Sequence, residues 1–254
     1  ALVFVFLFAR QKSRLRKMNK ELQTSNNTLK NFISIIAHDL KNPFNTIIGF
    51  SDLLKTEFNS LSPKERTLAI ENTHKSALNA FALLEQLLNW ARLQTGTIQL
   101  EMTLIDLAEL VDEVMNLLQT AAFLKKQTLI NRIPTGLRVR ADKNMMLAVF
   151  RNLVSNAIKF TPDEGFIEVA AIDSANTIQA VVKDTGVGIS AEGIRKLFSI
   201  DELYKTAGTR GEKGTGIGLL LCKEYLEKNG GNIEVESIEG KGTTFTVTLP
   251  KAIS

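Results

Sequence analysis

Cysteine is almost missing from this chain: Cys222 is the single one among 254 residues. One thiol cannot build an internal disulfide framework or a cysteine zinc cluster, and it suits a reducing compartment. Only two histidines are present, His38 and His74, which argues against a multi-histidine metal site. No strong surplus of charge exists either, with 31 Lys plus Arg against 27 Asp plus Glu and a net charge of +4. Residues 10–20 hold six cations (Arg10, Lys12, Arg14, Arg16, Lys17, Lys20) and no acid, so the remainder is slightly acidic. The basic character is local, and a nucleic-acid-binding face spread over the fold is not expected. Internal repeats and low-complexity segments are absent. With 44% hydrophobic and 23% charged residues, the composition excludes a disordered tail, a collagen or a mucin-like stalk. The length suits one large domain or two small ones at about 150 residues per domain.

Long apolar runs are also scarce. Residues 1–9, Ala-Leu-Val-Phe-Val-Phe-Leu-Phe-Ala, lack any charged or strongly polar side chain. Nine helical residues reach only about 14 Å, roughly half the hydrocarbon thickness of a bilayer. A secretory signal carries its positive charge before the apolar run, whereas here it follows. The pattern reads as the end of a truncated transmembrane helix with its cytoplasmic side marked by the Arg/Lys cluster. A buried first strand is the alternative.

Residues 10–30 read as a basic coiled-coil linker. Leu15, Met18, Leu22, Leu29, Phe32 and Ile36 recur at heptad spacing, and no glycine or proline interrupts residues 1–42. The stripe resumes past Pro43 through Phe44, Ile47, Ile48, Leu54 and Phe58, and Pro43 itself predicts a bend or local opening. Ser62 reads as an N-cap, Pro63 as the first helical residue and Glu65 as the partner in a capping box. A second helix runs to about Gln94 with Ile70, Ala77, Phe81, Leu84, Leu88 and Ala91 on one face and Gly96 as its stop. Residues 31–95 thus form a two-helix hairpin, half of a four-helix bundle that a second copy completes.

After Gly96 the character changes. Strands are predicted near 97–102, 127–133, 137–141, 165–172, 177–184, 232–238 and 243–249, with helices over 106–125, 143–160 and about 218–228. A glycine-rich stretch spans 184–218. Helices grouped with an antiparallel sheet give an α+β class, with an α/β sandwich over residues 96–254.

Several residues carry chemistry. His38 lies about 200° around the helix from Ile36 and Leu40, on the solvated side, with Asn42 one turn on. Asp39 follows it directly, and a carboxylate near Nδ1 fixes the tautomer and makes Nε2 more nucleophilic. An incidental surface histidine beside a helix proline is the plain alternative. Asn152 and Asn156 share one helix face, and amide oxygens suit a hard Mg²⁺ ion; a polar helix face explains the pair equally on spacing alone. Asp184 ends a β-rich run, where it either accepts from an exocyclic amine or makes an Asx turn. Gly186 and Gly188 permit close backbone approach. Gly214–Gly218 opens an apolar helix whose free N–H groups favour a polyphosphate. It is not a Walker A loop. His74 and Cys222 read as structural, and Trp90 as a packing residue of the bundle.

Phe32-Ile-Ser-Ile-Ile-Ala-His38-Asp39-Leu40-Lys41-Asn42-Pro43 resembles the phosphoacceptor box of sensor histidine kinases. Asn152-Leu-Val-Ser-Asn156-Ala-Ile-Lys159-Phe160-Thr161 resembles their N box. Asp184-Thr-Gly186-Val-Gly188-Ile189 and Gly214-Thr215-Gly216-Ile217-Gly218-Leu219 resemble their two glycine boxes, and Gly240-Lys-Gly242-Thr243-Thr244-Phe245 their terminal Gly-Thr motif. The set covers about residues 31–250 in the family's order.

The resemblance implies a homodimer in which His38 takes the γ-phosphoryl of ATP and passes it to an aspartate of a response regulator receiver domain. It implies Asp39 as base and orienter, Asn42 as the water-positioning residue of a reverse phosphatase reaction, and Asn156 with Asn152 at Mg²⁺. Lys159 would contact phosphate and Asp184 would read adenine, with Gly186, Gly188, Ile189, Gly214, Thr215, Gly216, Ile217, Gly218, Leu219 and Thr243 lining the nucleotide. Lys205 falls in a polar lid over 199–213, before which the family often has Phe-x-Pro-Phe, here Leu197-Phe198-Ser199-Ile200 without the proline. The implied location is the cytoplasmic side of a bacterial inner membrane, with the signal arriving as a shift of the coiled coil. An ATP-driven clamp of the gyrase superfamily and a kinase-inactive adaptor are the rival readings.

Overall fold

The computed structural model describes residues 2–95, 99–199, 204–212 and 214–252. In the first helix several side chains, those of residues 1–9, Leu22, Leu29, Phe32 and His38 among them, lie outside the described set. The chain divides into two compact units, Ala1–Leu87 and Leu88–Ser254.

The first unit is built on α1 (Leu2–Glu57) and the greater part of α2 (Pro63–Gln94). α1 continues through Pro43 without a break. A proline forfeits its own N–H, but its φ is compatible with a helix, so length on both sides can carry it. The expected capping box is present at the start of α2. The Ser62 N–H donates to Glu65 Oε2 at 2.8 Å, and the Glu65 N–H donates to Ser62 Oγ at 3.3 Å. Two orphan donors of the helix end are thereby satisfied together.

The apolar stripe read on α2 is one of two apolar faces. Ala69, Ala80, Leu83 and Trp90 are buried, a face with spacings of eleven, three and seven residues. The face predicted as the stripe is one position further round, and its large members stay exposed: Ile70 at 56%, Phe81 at 60%, Leu84 at 42% and Leu88 at 48%. Helical periodicity found an apolar band, but α2 carries two adjacent ones.

In the second unit, β1 (Met102–Asp106) pairs antiparallel with β3 (Arg138–Asp142) as a two-stranded sheet. A five-stranded sheet has the order β2-β4-β5-β7-β6, made of β2 (Thr128–Asn131), β4 (Phe166–Asp173), β5 (Thr177–Asp184), β6 (Asn232–Ile238) and β7 (Gly242–Pro250). α3 (Leu107–Leu124) precedes β2, and β2 pairs with β4 in parallel, unlike the antiparallel sheet expected, because β3 and α4 (Lys143–Phe160) intervene as a crossover between them. The predicted strand over 97–102 is displaced to 102–106, where register with β3 sets it; residues 96–98, including the expected helix stop at Gly96, lie outside the described set. A short helix, α5 (Ala191–Lys196), sits in the glycine-rich stretch, capped by Ser190 Oγ accepting from the Gly193 N–H. α6 (Gly218–Lys228) follows the second glycine turn.

Alternate residues of the sheet (Ile167, Val169, Ile178, Ala180, Val182, Phe245, Val247) are buried under the helices. α4 fills that core with Met146, Val149, Phe150, Leu153 and Val154, each wholly buried. Burying one such large aliphatic side chain contributes roughly 1.5–3 kcal/mol. This rigid layer leaves the polar face of α4, with Asn152, Asn156 and Lys159, only part-buried. Cys222 is buried, as expected of a small core residue, and its thiol is pushed far up by burial. Trp90 is buried and His74 exposed.

Candidate nucleotide site

α4 supplies the first half of the site. The Asn156 amide donates from Nδ2 to Asn152 Oδ1 at 2.8 Å, one helical turn away. That bond fixes the Asn156 plane and leaves its oxygen able to accept a cation. A Cβ on Gly218 would stand 2.8 Å from Asn152 Cγ, so only glycine lets the start of α6 approach this amide. Lys159 is half-buried with its ammonium 4.5 Å from the centre of the Phe160 ring. Burial pulls its pKa below the ordinary lysine value, Glu212 opposing the shift and Lys125 adding to it. A Cβ on Gly214 would lie 2.6 Å from Lys159 Nζ. The second glycine turn therefore passes directly over both polar groups of α4.

β5 and β7 supply the second half. Asp184, at the last position of β5, is 6% exposed. Its Oδ1 accepts from the Gly186 N–H at 2.8 Å and the Thr243 N–H at 3.1 Å, so the first glycine box and the Gly-Thr motif converge on one carboxylate. Burial raises its pKa above the usual carboxylate range, those two backbone bonds opposing. A Cβ at Gly186 would sit 2.6 Å from the Phe160 carbonyl oxygen. Gly188 has φ of +70° and packs on Ile238, a combination other residues resist. Ile189 is half-buried, and its N–H donates to Ser237 Oγ at 2.8 Å. The Asx turn is present. Asp184 makes it with one oxygen and keeps the second for another donor.

Gly214, Thr215 and Gly216 (φ +75°) lead into α6, whose N-cap Ile217 is fully buried and gives the helix no side-chain cap. Uncapped N–H groups at a helix start attract an anion. Leu219 is half-buried in the first turn. Of the expected lid, residues 200–203 and Lys213 lie outside the described set; Lys205 is exposed, and Tyr204 packs against Gly193 of α5. The buried polar cradle and the glycine approaches thus fit a nucleotide with its metal, on the donor set alone.

Two groups escaped the sequence reading. Ser237 Oγ, besides holding Ile189, donates to the Gly242 carbonyl at 2.9 Å and lies 3.0 Å from Thr243 Oγ1. Strand alternation held a clue, since Ser237 falls on the same face of β6 as Ile233 and Val235. Lys125, at the C-cap of α3, is only 4% exposed. Nothing in its neighbourhood along the chain marks it, because its ammonium's partners come from residues 158–212.

In the first unit, Asp39 is half-buried, Asn42 is exposed and Ile36 is 2% exposed. His38 lies within α1, one turn before Asn42; its expected solvated orientation falls outside the described side chains.

Comparison with known proteins agrees with this geometry. The family model for the His Kinase A phospho-acceptor domain matches residues 28–96, and that for histidine kinase-, DNA gyrase B- and HSP90-like ATPases matches residues 141–253. Histidine protein kinase DivJ of Caulobacter vibrioides is 34% identical over 223 residues, 86% of this chain and 37% of DivJ. The catalytic domain of histidine kinase ThkA is 32% identical, with a TM-score of 0.52 over 59% of this chain and 96% of that one. The complex of ThkA with response regulator protein TrrA gives 25% identity and a TM-score of 0.70, covering 87% of this chain and 61% of the other. The chain spans less than half the length of the curated relatives it matches. A phospho-acceptor hairpin ahead of a nucleotide-site sandwich, matched in that order, places this chain in the sensor histidine kinase family.

Proposed function

We propose that this protein autophosphorylates His38 from Mg-ATP and passes the phosphoryl group to an aspartate of a response regulator receiver domain. The observation that carries the nucleotide half is the convergence of Asp184, the Asn152–Asn156 pair and uncapped α6 around closely approaching glycine turns. In the reaction, His38 Nε2 attacks the γ-phosphorus in line, the bond to the β–γ bridging oxygen breaks, and ADP leaves. The Nδ1 proton passes to Asp39, which orients the ring. Asn156 and Asn152 would hold Mg²⁺, which when bound neutralises charge on the phosphate oxygens. Lys159 and the Gly214–Gly218 N–H groups bind the phosphates, and Asp184 accepts from the adenine amine. Catalysis of this type is positioning plus electrostatics. Asn42, one turn from His38, positions water in a reverse phosphatase reaction.

The exposed band Ile70, Phe81, Leu84 and Leu88 supports a homodimer. The apolar run 1–9 followed by a basic cluster supports attachment at the inner face of a bacterial membrane, although no helix among the described residues is long and apolar enough to cross one.

Incubation with γ-labelled ATP and Mg²⁺ tests the reading. Acid-labile, base-stable label is expected on the parent chain and absent in His38→Gln and Asn156→Ala. Free phosphate released at the parent rate by His38→Gln would instead favour a clamp ATPase.

A further inference from the structure

The rim of the glycine turn holds a buried cation that the reaction described above does not use. Lys125 closes α3, and its Nζ donates to the carbonyls of Ile158 and Lys159 at 3.0 Å each and to Thr209 Oγ1 at 2.8 Å. It also pairs with Glu212 Oε1 at 2.7 Å. Ile158 and Lys159 end α4, where the helix dipole favours a cation. Thr209 closes the ring: its N–H and hydroxyl both donate to the Lys159 carbonyl, at 3.0 and 3.2 Å. Glu212 turns its second oxygen to the Arg210 N–H at 2.8 Å, and its carbonyl accepts from the Gly208 N–H at 2.8 Å. Arg210 forks onto Asp163 at 2.7 and 3.2 Å and reaches the Leu124 carbonyl at 2.9 Å.

Residues 208–212 are thus stapled to the end of α4 immediately before the Gly214 turn, which crosses Lys159 Nζ. The staple sets a carboxylate beside a site meant for anions. Glu212 and Lys159 both crowd Gly208: an added Cβ there would meet the Glu212 carboxylate and would lie 2.6 Å from Lys159 Cγ. Left unpaired, Glu212 would repel phosphate and draw the Lys159 ammonium to itself. Pairing with Lys125 offsets most of that charge. Partial burial works against Glu212's charge, yet the Lys125 hydrogen bond and its backbone partners hold the carboxyl below its usual range, so it is ionised at neutral pH.

We propose that Lys125 is a positioning residue for the phosphates: it neutralises Glu212 and anchors the 208–212 segment so that Lys159 stays available to the nucleotide. This rests on the nucleotide-binding reading of the second unit. The consequence is specific to phosphate, because Asp184 and the adenine side of the cradle lie outside the staple.

Equilibrium binding of ATP, ADP and adenosine to the parent chain and its variants tests the inference. Lys125→Met is expected to bind ATP and ADP about tenfold more weakly, the usual worth of one charge-assisted contact, with adenosine unchanged. Lys125→Gln, which keeps a donor for the α4 carbonyls but no charge, is expected to behave alike and serves if Lys125→Met does not fold. The double variant Lys125→Met/Glu212→Gln should regain most of the lost ATP affinity, and Glu212→Gln alone should bind ATP at least as tightly as the parent. Equal losses for adenosine and ATP, unaltered ATP binding in the lysine variants, or no recovery in the double variant would each overturn the proposal. If the parent binds adenosine and its phosphates not at all, the nucleotide reading itself falls and takes this inference with it.

Discussion

Asp184 shows how one buried carboxylate serves both fold and site. One oxygen closes the turn into the first glycine box and holds the Gly-Thr motif, and burial makes its charge costly. Its folded pKa lies above the ordinary value near 3.8, so protonation favours the folded state. That contribution is complete below the ordinary value and is lost as pH rises through the folded pKa. Asp184→Asn keeps the accepting oxygen and sheds the charge. Its melting temperature is therefore expected to equal or exceed the parent's at neutral pH, with the advantage shrinking as pH falls toward 4, while ATP affinity drops at least about tenfold through the lost acceptor. Thermal scans across pH alongside nucleotide titration check both. At this scale the sequence was legible where spacing along one element decides the geometry, as with Asn152 and Asn156. It was silent on Lys125 and nearly so on Ser237, whose partners come together only through the folded sheet and helices.

Among the elements, the start of α2 was the most readable, because a capping box is written within four consecutive residues. Ser62→Ala is expected to cost about 1 kcal/mol of hairpin stability by chemical denaturation, leaving nucleotide binding untouched. Hydrogen bonds from the Ser62 side chain and N–H hold the Glu65 carboxyl below its ordinary value near 4.5. The stabilisation it gives is present above that value and disappears as pH falls through the folded one; Glu65→Gln should flatten this dependence. Strand positions were less readable. The short β1 owes its bounds to β3, and the parallel β2–β4 pair depends on the crossover between them, neither of which strand propensity encodes. α5 hid among glycines because six residues are too few for periodicity to show.

For the whole molecule, the two apolar bands of α2 imply different partners. Ala69, Ala80 and Leu83 are covered within the chain, whereas Ile70, Phe81, Leu84 and Leu88 are exposed, the face that the proposed homodimer would cover. Phe81→Glu is expected to weaken dimerisation at least about a hundredfold in sedimentation equilibrium, since each copy loses an aromatic contact and buries a charge. Periodicity showed an apolar band without telling which neighbour covers it, because one helix seen alone has no partner to choose. The account as a whole rests on where phosphorus ends up. Trypsin separates the two histidines, His38 in the peptide 31–41 and His74 in 67–75, so the phosphorylated chain can be mapped by mass spectrometry at alkaline pH after incubation with Mg-ATP. A single phosphohistidine in peptide 31–41 is predicted. Phosphate on peptide 67–75, or ATP consumed to free phosphate with both peptides unmodified, would contradict it.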